Sequence, residues 1–139
     1  MKRVLVDAGP IVAIFSPADH YHALCVSALS GLPSRLLSCW PVIAEATWLL
    51  RPSQGAIRLL LNSIATGFID VLPLTNAEAV PIGKILDKYG NLRPQLADAA
   101  LVYLASRESI DTVFTLDRRG FSLYRSARNR PFNIVPGPL

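Results

Sequence analysis

The chain has 139 residues, of which 51% are hydrophobic and 17% are charged, and this composition excludes an intrinsically disordered protein. Every stretch of 18 residues contains a charge or a proline, which argues against a membrane span. The 14 basic and 10 acidic residues give a net charge of +4, and a basic excess suits a polyanionic partner. The length predicts a single domain over residues 1–139.

The cysteine content and the N-terminus bear on the compartment. Cys25 and Cys39 are too few for a disulfide framework and lack metal-ligand spacing. The chain starts with basic residues and continues with an apolar run, as a signal peptide does, but Asp7 and Pro10 interrupt that run. We therefore expect a cytoplasmic protein in a reducing environment.

Strand and helix signals alternate along the first half of the chain. Short runs of β-branched and leucine residues predict buried strands, and Pro10, Asp19 and Pro41 are placed to begin helices. In chain order, the predicted elements are a strand over 3–6, helices over 10–15 and 19–30, a strand over 36–39 and a helix over 41–50.

The second half continues the alternation. Its predicted elements are a helix over 53–67, a strand over 68–72, helices over 76–89 and 94–108, and strands over 112–116 and 132–135. Because strands alternate with helices, we expect an α/β fold with a mostly parallel sheet covered on both faces. In such a sheet the ligand site lies at the carboxyl ends of the strands.

Carboxylates follow two of the predicted strands at the point where each strand ends. Asp7 comes directly after the strand over 3–6, and Asp117 comes directly after the strand over 112–116. Acids at such positions often cap helices or turns. Two of them at equivalent edges of one sheet indicate a shared site instead.

Two further acids lie within apolar helix patterns. Glu45 and Thr47 are the only polar residues between Val42 and Leu50, so this helix is expected to be buried all round. A buried glutamate needs a cationic partner, a metal ion or a raised pKa. Asp98 lies among alanines and leucines near the start of its helix, where the helix dipole also favours an acid.

These four acids suggest a metal centre. Four carboxylates drawn together would repel one another unless a cation were present. Oxygen ligands without histidine or thiolate suit Mg²⁺ or Mn²⁺, and such a centre is well fitted to phosphoryl transfer. The chain contains no phosphate-binding loop, dinucleotide fingerprint or nucleophile elbow that would offer a competing mechanism.

The acidic motifs resemble, in their order, those of PIN-domain nucleases, and among these the VapC-type toxins of toxin–antitoxin pairs. The matching stretches read VDAGP at 6–10, AEAT at 44–47, LADAA at 96–100 and TLDRRGF at 115–121. The resemblance implies a three-layer α/β/α sandwich with four to five strands, and a Mg²⁺- or Mn²⁺-dependent site that cleaves single-stranded RNA. For a VapC-type member it also implies a homodimer neutralised by a small antitoxin protein.

The resemblance also assigns roles to individual residues. The matching metal-binding and catalytic acids are Asp7, Glu45, Asp98 and Asp117. Thr115 matches a family threonine near the site, where it would support the acids. Family members often carry another acid just before the closing phenylalanine, where this chain has Gly120. The resemblance therefore leaves open whether one or two metal ions bind.

Several other residues are candidates for binding. Arg118, Arg119 and Arg125 are predicted to contact RNA phosphates, with solvated surface arginines as the alternative. Trp40 and Trp48 flank the third helix, and we interpret them as core or dimer-interface residues rather than platforms for base stacking.

The stretch from Asp19 to His22 contains two histidines that are two residues apart. Because such a pair does not share a helix face and lacks further ligands nearby, we do not expect a zinc site there. Asp19 is interpreted as a helix cap, and the loop remains a candidate for contact with substrate.

Two other functions compete with a ribonuclease. A phosphatase with Asp7 as nucleophile would usually need a second acid two residues on, where this chain has Gly9. A non-catalytic RNA-binding or interaction module of the same fold is the other alternative, since Gly120 replaces an acid of the family. Metal-dependent RNA cleavage would separate the three.

Overall fold

Five parallel strands form a single sheet at the centre of the molecule, which is described as a computed structural model over residues 2–32 and 34–137. The strands are β1 Lys2–Val6, β2 Ser34–Ser38, β3 Ile69–Val71, β4 Thr112–Phe114 and β5 Asn133–Val135. Their spatial order is β3-β2-β1-β4-β5, and every neighbouring pair is parallel. The predicted α/β/α class and parallel sheet are confirmed.

Seven α-helices in the described ranges flank this sheet. They are α1 Ala8–Phe15, α2 His22–Ser30, α3 Trp40–Leu49, α4 Gln54–Ala65, α5 Ala79–Lys88, α6 Leu96–Glu108 and α7 Arg118–Phe121. Short 3₁₀ turns cover Asn76–Glu78, Gly90–Leu92 and Ala127–Asn129. Within the described part of the chain, no helix has the length and apolar character needed to cross a membrane.

The core lies along the central strands. Val4, Leu5 and Val6 of β1 and Val113 and Phe114 of β4 have no solvent exposure, as expected for parallel strands covered on both faces. Burial of each such side chain stabilises the fold by about 1.5–3 kcal/mol. The central strands therefore form a rigid base for residues that follow their carboxyl ends.

The topology places a crevice beside β1. From β1 the chain moves outward through β2 and β3 in one direction, and through β4 and β5 in the other. The strand order therefore reverses between β1 and β4, and ligands of open α/β sheets bind outside the carboxyl ends at such a point. Asp7 follows β1 there, and Thr115 follows β4.

Several helix boundaries differ from the prediction by a few residues. Helix α1 begins at Ala8 rather than Pro10, since Asp7 is its N-cap and accepts the Ala8 N–H. Helix α2 begins at His22, and Asp19 does not cap it. Helix α4 ends before Gly67, whose φ of +88° lies in the left-handed region that a glycine adopts without strain.

The prediction that the third helix is buried all round is wrong. One face of α3 packs Val42, Ile43 and Ala46 into the core. On the other face Trp40 and Trp48 are 57% and 63% exposed. Neither tryptophan is therefore a core residue of the chain, and their predicted place in a dimer interface stays a prediction.

Candidate active site

A polar cleft of about 790 Å³ lies at the carboxyl edge of the sheet, beside β1 and β4. All four acids selected from the sequence line it, although they are far apart in the chain: Asp7, Glu45, Asp98 and Asp117. The end of β1, the middle of α3, the first turn of α6 and the start of α7 each supply one of them. The fold thus brings the predicted residues together.

Asp7 is the most enclosed of the four, with only 7% of its surface exposed. Its Oδ1 accepts the N–H of Ala8 at 2.8 Å, and its Oδ2 accepts the hydroxyl of Thr115 at 2.8 Å. Burial raises the pKa of Asp7 from 3.8 to about 6, the charges of Asp98 and Glu45 add to the rise, and the two hydrogen bonds oppose it. Asp7 therefore carries its negative charge at a cost.

Thr115 connects two of the acids through its side chain. The residue is fully buried, and its N–H continues the pairing of β4 with β5 by donating to Val135 O at 2.9 Å. Its hydroxyl donates to Asp7 and accepts the N–H of Asp117 at 3.0 Å. One hydroxyl group therefore orients the Asp7 carboxylate and positions the backbone of Asp117. The role in the site that the resemblance implies for Thr115 stays a prediction.

The charges of neighbouring cleft acids also affect the pKa of Glu45 and of Asp98. Burial raises the pKa of Glu45, and the charge of Asp98 adds to this. The pKa of Asp98 is raised by burial and by the charge of Asp117, and is lowered by a hydrogen bond from Gln95. The N–H of Gln95 donates to Asp98 Oδ2 at 2.8 Å, so Asp98 also supports the first turn of α6. Asp98 thus both supports the start of α6 and lines the cleft.

Asp117 begins α7, a helix that the sequence did not predict. Its Oδ1 accepts the N–H of Gly120 at 3.0 Å. A Cβ added at Gly120 would lie 2.5 Å from Asp117 Oδ2 and 3.1 Å from Tyr124 Cε2. The position where family members often carry another acid is therefore closed by the Asp117 carboxylate, and glycine is what lets that carboxylate fold back onto α7.

None of the four cleft acids forms an ion pair with a described residue. The ion pairs among the described residues involve Asp70, Glu78 and Glu108 instead. A carboxylate as buried as Asp7 normally has a cationic partner. Within residues 2–32 and 34–137, Asp7 has no such ion-pair partner. A buried carboxylate without a cationic side chain, in a site whose acidic donors are all oxygen atoms, is suited to binding a divalent metal ion.

The acids do not form a finished coordination shell as their side chains stand. Among the described residues, no three His, Cys, Asp or Glu side chains lie close enough to hold one ion. Three of the four carboxylates instead accept backbone N–H groups, from Ala8, Gln95 and Gly120. In each of these three carboxylates, only one of the two oxygens accepts the backbone N–H group.

Comparison with known proteins decides the family. Residues 4–127 match the PIN domain, which is most of the chain. The chain belongs to the PIN-domain family. The resemblance seen in the four acidic motifs is confirmed.

Three proteins show how this PIN domain relates to others. Over 135 residues, 96% of the chain and 100% of the relative, it is 30% identical to Ribonuclease VapC26 of Mycobacterium tuberculosis. Its fold is similar to the structure of VapC20 of M. tuberculosis, a sarcin–ricin loop cleaving toxin, with a TM-score of 0.68 at 15% identity over 79% of this chain and 86% of that one. It is also similar to VapBC2 of Rickettsia felis bound to a promoter DNA fragment, with a TM-score of 0.60 at 15% identity over 95% and 98%.

The three arginines predicted to contact RNA occupy different positions in this PIN domain. Arg119 lines the acidic cleft. Arg118 lies outside it and donates to Pro136 O at 2.7 Å. Arg125 also lies outside the cleft, and its guanidinium donates to the carbonyls of residues 122–124. Of the three, only Arg119 lines the cleft that contains the acids.

Among the cleft residues of this PIN domain that sequence reasoning missed, two have ionisable side chains. Arg93 lines the cleft, is exposed, and has a φ of +52°, a conformation that is uncommon for a residue with a side chain. Tyr124 is buried beneath the cleft, and its pKa is raised to about 12 by burial and then by the charges of Asp98 and Asp117. Neither residue lies in a motif, so only the fold could reveal them.

Proposed function

We propose that this PIN domain is a Mg²⁺- or Mn²⁺-dependent endoribonuclease that hydrolyses phosphodiester bonds of RNA. The observation that carries the proposal is the buried, unbalanced charge of Asp7 in a cleft lined by three more acids from separate elements. The 30% identity to a protein named as a ribonuclease, over its whole length, supports the same reaction.

Asp7, Glu45, Asp98 and Asp117 are the residues that would hold the metal. When bound, a divalent ion supplies a water molecule of lowered pKa and stabilises negative charge on the attacking and leaving oxygens. Burial, and to a smaller extent mutual repulsion, raises the pKa of three of these acids, and a bound ion would stabilise their charged forms. The cleft should therefore bind a cation more tightly than an exposed acidic cluster does.

The protein's own groups have separate tasks in this proposal. Thr115 and the N–H of Ala8 fix the orientation of the Asp7 carboxylate. Arg119 and Arg93 line the cleft and can donate to the nonbridging oxygens of the phosphates. The acids thus hold the centre of the cleft, and two guanidinium groups contact the RNA backbone.

We also propose that the protein is the toxin of a VapBC-type pair, acting in the cytoplasm on RNA as a homodimer and neutralised by a small antitoxin. The relatives named VapC and VapBC support this. The exposed side chains of Trp40 and Trp48 supply an apolar face on α3 that a second copy or an antitoxin would cover. Induction of the gene alone should arrest growth, and coexpression of a neighbouring small gene should relieve the arrest.

The enzymatic part is tested with purified protein and a mixture of structured and single-stranded RNA. We expect cleavage with Mg²⁺ or Mn²⁺ and none with excess EDTA. Release of phosphate from small phosphate esters, without RNA cleavage, would indicate the phosphatase. Binding of RNA without cleavage at any metal concentration would indicate the non-catalytic module.

A further inference from the structure

A second cavity, of about 360 Å³, adjoins the acidic cleft. The two share part of their lining, formed by Leu116, Asp117 and Arg119. Unlike the cleft, the second cavity has a mostly apolar lining. A ligand that lies at the acids can therefore extend directly into an apolar space that is within the usual size range of small-molecule sites.

An aromatic side chain in a well-anchored loop lines this cavity. Tyr21 is 42% exposed although it is large and hydrophobic. Its N–H donates to Asp19 Oδ1 at 2.8 Å, and the N–H of His22 donates to Asp19 O at 3.0 Å. His22 Nδ1 lies 2.6 Å from Ala13 O, a contact in which the ring nitrogen must donate. Asp19 and His22 thus hold the loop from both sides and present the Tyr21 ring.

The remaining lining is also fixed in place. Leu24, one turn into α2, contributes an apolar side chain beside Tyr21. Arg118 donates to Pro136 O at 2.7 Å and so joins α7 to the segment after β5, which forms another part of the lining. The cavity is thus formed by three separate parts of the chain, and Arg118 stabilises it even though it lies outside the acidic cleft.

We propose that this cavity is a nucleobase subsite, which takes the base of the nucleotide next to the cleaved bond and stacks it on Tyr21. The inference rests on the proposed ribonuclease function. When a phosphodiester lies at the acids, the base of the neighbouring nucleotide must occupy a space that adjoins the cleft. This cavity adjoins the cleft through their shared lining. Proteins read unpaired RNA by stacking splayed bases on aromatic side chains. The subsite therefore selects an unpaired nucleotide and disfavours an RNA duplex.

The first experiment measures base binding without catalysis. The metal-free protein in EDTA is titrated with the four nucleoside 5′-monophosphates and with ribose 5-phosphate, and amide chemical shifts are followed by NMR. We expect at least one nucleotide to shift Tyr21 and Leu24, and ribose 5-phosphate to leave them unchanged. Tyr21→Ala should weaken that binding about 5- to 150-fold, the range that corresponds to one base stacked on an aromatic ring.

Three further variants sharpen this test. Tyr21→Phe keeps the ring and should bind nucleotide as the wild type does. Leu24→Trp puts a bulkier side chain into the lining and should weaken binding while Tyr21 remains. Phe68→Ala removes an exposed aromatic ring just before β3, at the opposite edge of the sheet, and should change nothing. Equal shifts by ribose 5-phosphate, or unchanged affinity in Tyr21→Ala, would overturn the proposal.

The second experiment uses an RNA that the wild type cleaves. An abasic ribose next to the cleaved bond should lower kcat/KM for the wild type about as much as Tyr21→Ala lowers it for the intact RNA. Tyr21→Ala with the abasic RNA should lower kcat/KM little further than either change alone. Independent, additive losses would overturn the subsite. Failure of the wild type to cleave any RNA would count against the proposed function, and the nucleotide titration would still decide the subsite.

Discussion

Replacement of Asp7 by asparagine should stabilise the metal-free protein while it removes activity. The asparagine would keep the size of the side chain and an oxygen that can accept the N–H of Ala8. It would remove a charge that is 7% exposed and has no cationic partner among the described residues. A residue that lowers stability in order to serve a site is expected to show this opposition between stability and activity.

The magnitude follows from the pKa of Asp7. A rise from 3.8 to about 6 corresponds to a cost of about 3 kcal/mol for keeping the carboxylate ionised in the folded protein at neutral pH. Asparagine has only one oxygen and cannot accept both the N–H of Ala8 and the hydroxyl of Thr115, so one buried donor is left unsatisfied, which offsets about 1–2 kcal/mol of the gain. We therefore expect a net stabilisation of about 1–2 kcal/mol, or about 3–7 °C in Tm for a chain of this length.

The gain should depend on pH in a defined direction. Because the folded-state pKa lies above the unfolded one, the folded protein binds more protons between about pH 4 and pH 6, and wild-type stability falls as the pH rises through that window. As the pH falls below 3.8, the side chain becomes neutral in both states, so the gain from Asp7→Asn should vanish. Above pH 6 the gain should be complete. Urea unfolding in EDTA at about pH 3.5, 5 and 7.5 measures it.

A matched control tests whether the gain is specific to Asp7. Asp87→Asn makes the same chemical change at an exposed position of α5 outside the cleft, and should alter stability by less than about 0.5 kcal/mol. An Asp7→Asn variant that is less stable than wild type at neutral pH, and that still cleaves RNA, would show that Asp7 is only the N-cap of α1.

Three further predictions follow from other contacts. Thr115→Val removes a buried hydroxyl that serves two acids, and should cost about 1–3 kcal/mol in urea unfolding and lower RNA cleavage without changing the fold by circular dichroism. Arg119→Ala should flatten the salt dependence of RNA binding by roughly 0.7 log units per log unit of salt, whereas Arg125→Ala, outside the cleft, should leave that slope unchanged. Hydrogen bonds from Tyr103 and other groups, including a charge-assisted one from Arg107, lower the pKa of Glu78 to about 2. In urea unfolding, wild type should therefore be more stable than Glu78→Gln above pH 4.5, and this difference in stability should disappear as the pH falls towards 2.

The sequence predicted most of the fold because the strands are short apolar runs. Val4, Leu5 and Val6 of β1 and the three residues of β4 are all apolar or β-branched, a pattern that few structures other than buried parallel strands satisfy. Helix boundaries were harder, since they depend on single hydrogen bonds. Asp7 and Asp19 look alike as N-cap candidates, and only the first of them caps a helix.

The site was predictable where a residue breaks a local pattern. Asp98 and Glu45 are polar residues in apolar helices, and both line the cleft. Arg93 and Tyr124 break no pattern in the sequence, because a polar loop residue and an aromatic core residue are ordinary in isolation. Their place in the site depends on long-range packing, which no local pattern reports.

The dependence of RNA cleavage on Mn²⁺, compared for wild type and Asp98→Asn, tests the proposed metal-dependent site most directly. The asparagine oxygen can still accept the N–H of Gln95, so the start of α6 is preserved while one proposed metal ligand loses its charge. We predict no cleavage by the wild type in excess EDTA, saturable activation by Mn²⁺, and for Asp98→Asn a loss of orders of magnitude together with a higher Mn²⁺ requirement. Undiminished cleavage in EDTA, or an Asp98→Asn variant with the Mn²⁺ dependence of the wild type, would contradict the account.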